Sequence, residues 1–398
     1  MTATTVNDTP NSEQPVPSRS WVSRLGLNRF SGLYLLAAFF IFFGLTESNF
    51  LLWNGSVEFV LTEKVIVCML ALAFLVPLTT ETFDLSIGAT MALSLVIVNK
   101  MALETDLPDG VGAIVGMLAC LAIGAVNGFI VVKLRVNSFI ATLGMSQVIA
   151  AIIRRIHDGG NITSAFGKSY IDFGKRNVFS FKWPWSDSEI SLPYYFLYGL
   201  IVATLIWYVL EHTPVGRHMF ATGGNREAAR LSGLNTDRLS WGSLVASAGI
   251  AGFAGLIYSW KFATYTSSVG PPLLFTAVGA VFFGASQLKG RPNVWGTIIA
   301  VYTLAFGIKG IGLRYPREID WMQPMFEGLT LIIAVGIASR QGLVKIAKRR
   351  ADVAPALPSP DTPPDALPDS PDSETSSLPD AAEEPSRANA DSAVDSSH

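Results

Sequence analysis

The sequence predicts an all-α polytopic membrane protein of about ten transmembrane helices, and three observations predict it. Half of the 398 residues are hydrophobic and only 15% are charged; with a mean hydropathy of +0.39, the chain is too apolar for an ordinary soluble protein. Several runs approach or exceed the ~20 apolar residues that a helix needs to cross a bilayer. Helices are the expected spanning form, because lipid offers no partner to an unpaired backbone group. Cys68 and Cys120 both fall inside apolar spans and read as small core residues, not as a disulfide or a metal site.

Residues 1–25 lack the apolar stretch of a signal peptide and read as a disordered cytosolic tail. Arg19, Arg24 and Arg29 precede a first span at about 30–50, which places the N-terminus in the cytosol. A second span covers about 57–78 and ends at Pro77. The polar stretch TTETFDLSIG follows at 79–88, with a third span running to about Asn99. Glu104, Asp106 and Asp109 mark an acidic outer loop. The Gly-rich fourth span, about 111–132, ends at Lys133 and Arg135 on the inside, and the fifth covers about 139–153. Residues 157–192 form a longer outer segment whose Trp183 and Trp185 suit a membrane–water interface. The sixth span, about 194–210, leads into a cytosolic loop at 211–238.

Four more apolar stretches lie at about 239–262, 273–283, 294–308 and 322–338. The last runs into Arg340, Lys345, Lys348, Arg349 and Arg350, a cytosolic marker that closes a transmembrane domain of residues 26–345. Beyond it, residues 351–398 carry eleven acids, one base (Arg387) and no aromatic residue. Such a composition cannot bury enough apolar surface to offset its ordering entropy, so this tail is expected to be disordered and cytosolic. Residues 113–128 and 293–310 resemble each other in glycine placement, a hint of an internal repeat of the kind on which transporters are built.

Catalytic signals are missing. GNITSAFGKS at 160–169 looks like a phosphate loop, but six residues separate Gly160 from Gly167 where four are required. The four histidines are scattered, and no Cys or His cluster has metal-ligand spacing. The expectation is a non-catalytic chain with no cofactor, no metal and no nucleic-acid partner, in contact with membrane lipid. If a nucleotide drives transport, another subunit hydrolyses it.

Two polar stretches carry the chemistry. Glu81 and Asp84 are ionisable groups flanked by apolar spans, and at membrane depth each would cost ~2.5–3.5 kcal/mol on the insertion scale. The stretch is either a broken helix beside a water-filled path or a short cytosolic turn with Asp84 capping the next helix. In NREAARLSG (225–233), Asn225 suits a helix N-cap, good helix formers follow, and Gly233 suits a left-handed C-cap. A short capped helix there would present a charged face to a partner; a plain solvated loop is the alternative.

ETFDLSIG at 81–88, FIATLG at 139–144, the block at 216–233 and the looser blocks at 278–290 and 294–310 together resemble the permease subunits of bacterial ABC importers for ribose, xylose and related sugars. The resemblance covers about residues 30–340. It implies a passive permease in the bacterial plasma membrane, both termini cytosolic, that translocates a small neutral sugar or polyol. The implied partners are a cytosolic ABC ATPase, an extracytoplasmic sugar-binding protein and a second permease subunit, identical or paired. It makes 225–233 the coupling helix that docks in the ATPase, with Asn225, Glu227, Ala228, Ala229, Arg230 and Gly233. Along the translocation path it places Phe83, Asp84, Ser86, Phe139, Thr142, Phe275 and Thr276. The chain departs from the family pattern where a glycine pair becomes Glu81–Thr82, where prolines become Asn137–Ser138, and where an acidic position becomes Thr276. A secondary transporter using Glu81 and Asp84 as ion sites, or an ABC permease for a non-sugar solute such as a nucleoside, stays open.

Overall fold

The computed structural model describes residues 31–47, 50, 57–157, 161–163, 166–182, 189–266, 269–287, 291–333 and 336. They fall in one compact unit, Met1–Ala347. Both expected tails, Trp183 and Trp185, the end of the last span and its basic cluster lie outside the described residues.

The core is built on one helix. After α1 (Ser31–Thr46) and α2 (Glu58–Glu63), α3 (Val65–Leu78) reads VIVCMLALAFLVPL. It has no polar side chain and hence no polar face, and a helix apolar all round belongs in the interior. Every residue from Val65 to Pro77 is buried. Packed against α3 are α8 (Tyr194–His212), α11 (Thr236–Phe262), α12 (Gly270–Gln287) and α13 (Val294–Arg314). A second layer is a trio of α11, α4 (Ile87–Glu104) and α5 (Asp109–Val132), with α6 (Ser138–Ile156) lying on α4. Aromatic rings join α1 to α13, closest at Phe40 and Phe306, whose centroids are 4.6 Å apart. A further helix, α14, covers residues 319–333.

Among the described residues, α4, α5, α6, α8, α11 and α13 are long and apolar enough to cross a membrane, and α1, α3 and α12 carry shorter apolar stretches. The protein is therefore an all-α polytopic membrane protein. Among the described residues strands are confined to two short antiparallel pairs, β1 (Ile162–Thr163) with β4 (Thr264–Tyr265), and β2 (Asn177–Lys182) with β3 (Glu189–Pro193).

Both ends of the helix bundle carry structure that periodicity did not announce. At one end, residues 157–193 hold α7 (Lys168–Lys175) and the β2–β3 hairpin. This segment is tied down where Gly167 N donates to Asp109 Oδ2 at 2.8 Å and where Tyr170 Oη lies 2.8 Å from Ser259 Oγ. Burial pushes the Tyr170 hydroxyl up to about 12, so it stays protonated there. Nearby, Lys261 pairs with Glu63 at 2.5 Å, joining α11 to α2. At the other end, α9 (Pro214–Gly224) precedes α10 (Arg226–Leu231) in a stretch read only as a polar loop with one short helix. Thr213 caps α9 and Pro214 takes its first position, where a missing N–H costs nothing. α4 also outruns its expected end near Asn99, because Lys100 and Glu104 pair at 2.6 Å one turn apart and carry the helix on.

The trio is held by close approach. A Cβ on Gly124 of α5 would lie 2.7 Å from Ala248 Cβ and 2.8 Å from Val245 Cα of α11. Membrane helices meet in this way because small residues let backbones touch. Gly124→Val is expected to push α5 off α11 and destabilise the protein by about 1–3 kcal/mol, as overpacking does. Gly242→Ala on α11, where an added Cβ meets nothing within 4 Å, is the control and should melt like wild type. Thermal unfolding in detergent separates the two; equal melting temperatures would remove the close contact from the account.

Candidate functional site

The stretch between α3 and α4 is neither of the two alternatives in pure form. It is a turn, but a buried one. The last carbonyls of α3 have no helical partners, and the threonines that follow supply them. Thr79 Oγ1 donates to Val76 O at 2.7 Å and Thr80 Oγ1 to Pro77 O at 2.9 Å, while Thr82 N also reaches Pro77 O at 3.1 Å. Glu81 closes the turn with φ of 58°, the left-handed region that glycine enters without strain. That is the position at which the family pattern has a glycine pair. Glu81 itself is exposed.

From Phe83 to Ser86 the backbone runs against α6. Phe83 N donates to Ser138 Oγ at 3.0 Å, and Leu85 N donates to Thr142 Oγ1 at 2.9 Å. Ser138 and Thr142 are four residues apart, so both hydroxyls project from one face of α6. Asn137 caps α6 by accepting from Phe139 N at 2.9 Å. The two residues that replace the family's prolines therefore both have work: one starts the helix, the other holds the turn.

Asp84 is fully buried. Its Oδ1 accepts from Ser86 N at 3.0 Å and from Ser86 Oγ at 2.6 Å, and Asn127 Nδ2 of α5 donates to Ser86 Oγ at 2.9 Å. Ser247 of α11 lies against the same carboxyl. Asp84, Ser86, Asn127, Thr142 and Ser247 all have zero exposure, so this polar knot is closed on every side by α4, α5, α6 and α11. Buried polar groups persist where networks pair them; here the pairing is partial, since among the described residues Asp84 Oδ2, Asn127 Oδ1 and Ser247 Oγ have no hydrogen-bond partner. Since Glu81 is exposed and Asp84 is sealed in, the two acids do not form one ion site.

The knot touches the α9–α10 loop directly. A Cβ on Gly223 of α9 would collide with the Thr79 carbonyl, and Thr80 Oγ1 lies 3.3 Å from Ser243 Oγ of α11. Arg291, just before α13, clamps the start of the loop. Its Nη2 donates to both Glu211 oxygens at 2.9 and 2.8 Å, and its guanidinium sits 4.4 Å over the Phe220 ring.

α10 has a complete set of caps. Asn225 Oδ1 accepts from Ala228 N at 3.0 Å. At the other end Gly233 has φ of +82°, Leu234 N donates to Ala229 O at 3.1 Å and Gly233 N to Arg230 O at 3.0 Å. This pair of bonds is the Schellman motif. Arg226 reaches over to Asp237 of α11 at 3.0 Å. Glu227, Ala228 and Arg230 are exposed, but Ala229 faces inward at 6% exposure. Leu231, absent from the residues read as coupling, is 81% exposed. An apolar side chain ending a polar helix was the available signal.

Beside the knot lies a groove of about 710 Å³ between α4, α6 and α12. Gly88, Ala89 and Ala92 give it a narrow apolar wall on α4, while Ser146, Gln147 and Arg154 make a polar wall on α6. Of the residues read as the path, Phe275 lines this groove, as does Leu85 beside the knot. Asp84, Ser86 and Thr142 brace its end from within, and Phe83 is half-buried against Phe74. Phe139 is half-exposed on α6. Thr276 turns to α14, where its hydroxyl donates to Glu327 Oε2 at 2.7 Å. Ser146, Gln147 and Arg154 were missed, though a Ser–Gln pair inside an otherwise apolar span marks them. Among the described residues no group of His, Cys, Asp or Glu could hold a metal.

Known proteins share this chain's pattern. A family model described as a branched-chain amino acid transport system / permease component matches residues 56–335. The chain is 31% identical over 312 residues to the galactose/methyl galactoside import permease protein MglC of Haemophilus influenzae, covering 73% of this chain and 87% of that one. It is 28% identical over 330 residues to the ribose import permease protein RbsC of Escherichia coli, covering 82% and 99%. The fructose import permease protein FrcC of Rhizobium meliloti is 27% identical over 321 residues, covering 77% and 83%. No solved structure matches the chain.

Two outcomes are expected of the knot. Glu81→Gly should stabilise the protein by about 1 kcal/mol, because it removes a left-handed conformation from a residue with a Cβ. An unchanged or lower melting temperature would contradict that. Asp84→Ala should destabilise by about 1–3 kcal/mol by stranding buried donors, whereas Asp84→Asn, which keeps an acceptor oxygen, should lose much less. Exposed Asp106→Ala should be silent. Equal melting of the Ala and Asn variants would show that the acceptor is not what matters.

Proposed function

The chain belongs to the permease family of bacterial ABC importers for ribose- and xylose-type sugars, and from that premise we propose that it moves a small neutral sugar or polyol across the inner membrane on energy supplied by a separate ATPase. The observation that carries this reading is the doubly capped, outward-facing α10, joined through α9 to the polar knot at the end of a groove. The sugar specificities in the names of its relatives, galactose, ribose and fructose, support a pentose or hexose as cargo. A groove of about 710 Å³ falls within the ~300–1,000 Å³ of small-molecule sites; its Gln147 and Arg154 offer donors to sugar hydroxyls, and Ser146, whose own proton goes to Leu143 O, offers an acceptor.

In this reading about ten spans put both termini and the 211–238 loop in the cytosol. An extracytoplasmic binding protein delivers the sugar, and a second permease subunit completes the path opposite α4, α6 and α12. ATP binding draws the two ATPase domains together and pulls on α10. Because α9 sits with Gly223 on Thr79, and the turn is bonded to α6 through Ser138 and Thr142, the pull reaches the groove walls as a shift of packed elements. The permease's own residues bind, orient and gate; none of them hydrolyses anything. Uptake of labelled ribose, galactose and fructose by a strain carrying this chain with its ATPase and binding protein tests the reading. Uptake that fails on ATP depletion and survives a proton ionophore is expected, and the reverse would overturn it.

The docking face follows from exposure. Ala228→Trp and Leu231→Asp should leave insertion and melting unchanged, yet release the ATPase in pull-down and abolish binding-protein-stimulated hydrolysis. Ala229→Trp should instead lower the melting temperature, since Ala229 packs against its own chain. Normal ATPase retention by both outward variants would make this helix a mere connector.

A further inference from the structure

A second groove, of about 730 Å³, lies between the last turns of α5 and the first turns of α11. It is built from two layers. The lower layer is apolar and exposed, with Val126 at 45%, Phe129 at 53% and Trp241 at 44% exposure. Trp241 is held across the gap by its indole N–H, which donates to the Ala125 carbonyl at 3.1 Å, with the ring resting on Gly128. The upper layer is the rim, formed by Lys133, Asn235, Asp237 and Arg238. Asp237 is taken up by Arg226 at 3.0 Å, and Asn235 Oδ1 accepts from Arg238 N at 3.0 Å as the cap of α11. Among the described residues neither Lys133 nor Arg238 has an ion-pair partner, and both are exposed. The rim thus offers two unneutralised cations above an aromatic and aliphatic trough.

We propose that this groove is a binding site for an anionic phospholipid, with the phosphate between Lys133 and Arg238 and an acyl chain along Phe129 and Val126. An indole at the polar–apolar boundary and basic side chains just beyond it are how membrane proteins meet headgroups, and basic pockets between helices on the cytosolic side select anionic ones. A soluble partner could meet the rim, but the trough below it runs along exposed apolar side chains of α5 and α11, two helices long and apolar enough to cross a membrane. The orientation proposed above assigns the site to the inner leaflet; the match of two cations to a phosphate does not depend on it. Through Arg226–Asp237 the lipid sits at the root of α10.

The test is native mass spectrometry of the full-length protein with graded phosphatidylglycerol or phosphatidylcholine. Wild type should retain phosphatidylglycerol in preference, and the double variant Lys133→Ala/Arg238→Ala should lose about tenfold of that preference while melting like wild type. Arg155→Ala/Lys168→Ala, at the other end of the bundle, should keep it. Absence of a preference in wild type, or an undiminished one in the Lys133/Arg238 variant, overturns the proposal. So does displacement of the lipid by millimolar inorganic phosphate, which would make this a free-anion site. Displacement by the purified ATPase subunit, or a smaller oligomer with unchanged lipid in the double variant, would assign the groove to a protein partner instead. Lipid binding is read without transport, so failure here leaves the importer reading standing.

Discussion

Eight residues between α3 and α4 are neither helix nor strand, yet most of them are out of contact with water. That constraint organises the molecule. Unpaired backbone groups in such a place cost several kcal/mol each, so the turn draws its partners from whatever lies around it. Thr79, Thr80 and Thr82 satisfy the end of α3, Ser138 and Thr142 receive the N–H groups of Phe83 and Leu85, and Asp84 takes those of Ser86. These partners come from the turn itself and from α6, while Asn127 of α5 bonds Ser86 and Ser243 of α11 lies against Thr80. The result is that α3, α4, α5, α6 and α11 meet at one polar knot, and none can shift without disturbing it. The central α3 supplies the rigid side of the arrangement. It is buried along its length and offers no polar alternative for the turn to use.

A joint of this kind suits a machine whose energy arrives from outside the membrane. The loop that carries α10 does not hang free. Arg291 pins its beginning, Gly223 seats its middle on Thr79, and Arg226–Asp237 ties its helix to α11. On the other side of the knot, Leu85 and α6 form part of the groove. Packed interfaces are bistable rather than soft, so small displacements at one end emerge as changes of arrangement at the other.

Much of this was legible in the chain. The spans showed as apolar runs, and α10 was visible in its caps, because Asn225 and Gly233 are chemically specific for those positions. Direction was not legible. Whether Ala229 or Leu231 faces outward depends on how a six-residue helix is tilted on its neighbours, which no local pattern encodes. Asp84 read as costly, but Ser138 and Asn127, which bond its neighbours Phe83 and Ser86, lie dozens of residues away and look like ordinary small polar residues in apolar spans. α9 was hidden because its glycines and histidine depress helix propensity, while Thr213–Pro214 and its packed face override that. Glycines in both 113–128 and 293–310 sit at close helix contacts, Gly124 seating α5 on α11 and Gly310 seating α13 on Phe43 of α1, as small residues do in any packed membrane bundle.

The central claim is that movement of α10 is carried through the knot to the groove. Pulsed electron paramagnetic resonance on the assembled transporter in lipid tests it most directly, with a reference spin label at exposed Asp106 in both samples and the second label at Glu227 on α10 in one and at Gln147 on the α6 wall in the other. Distances are compared without nucleotide and with ATP trapped by a hydrolysis-blocked ATPase. Both label pairs should change separation on ATP binding. A shift at Glu227 with an unchanged distribution at Gln147 would contradict the account.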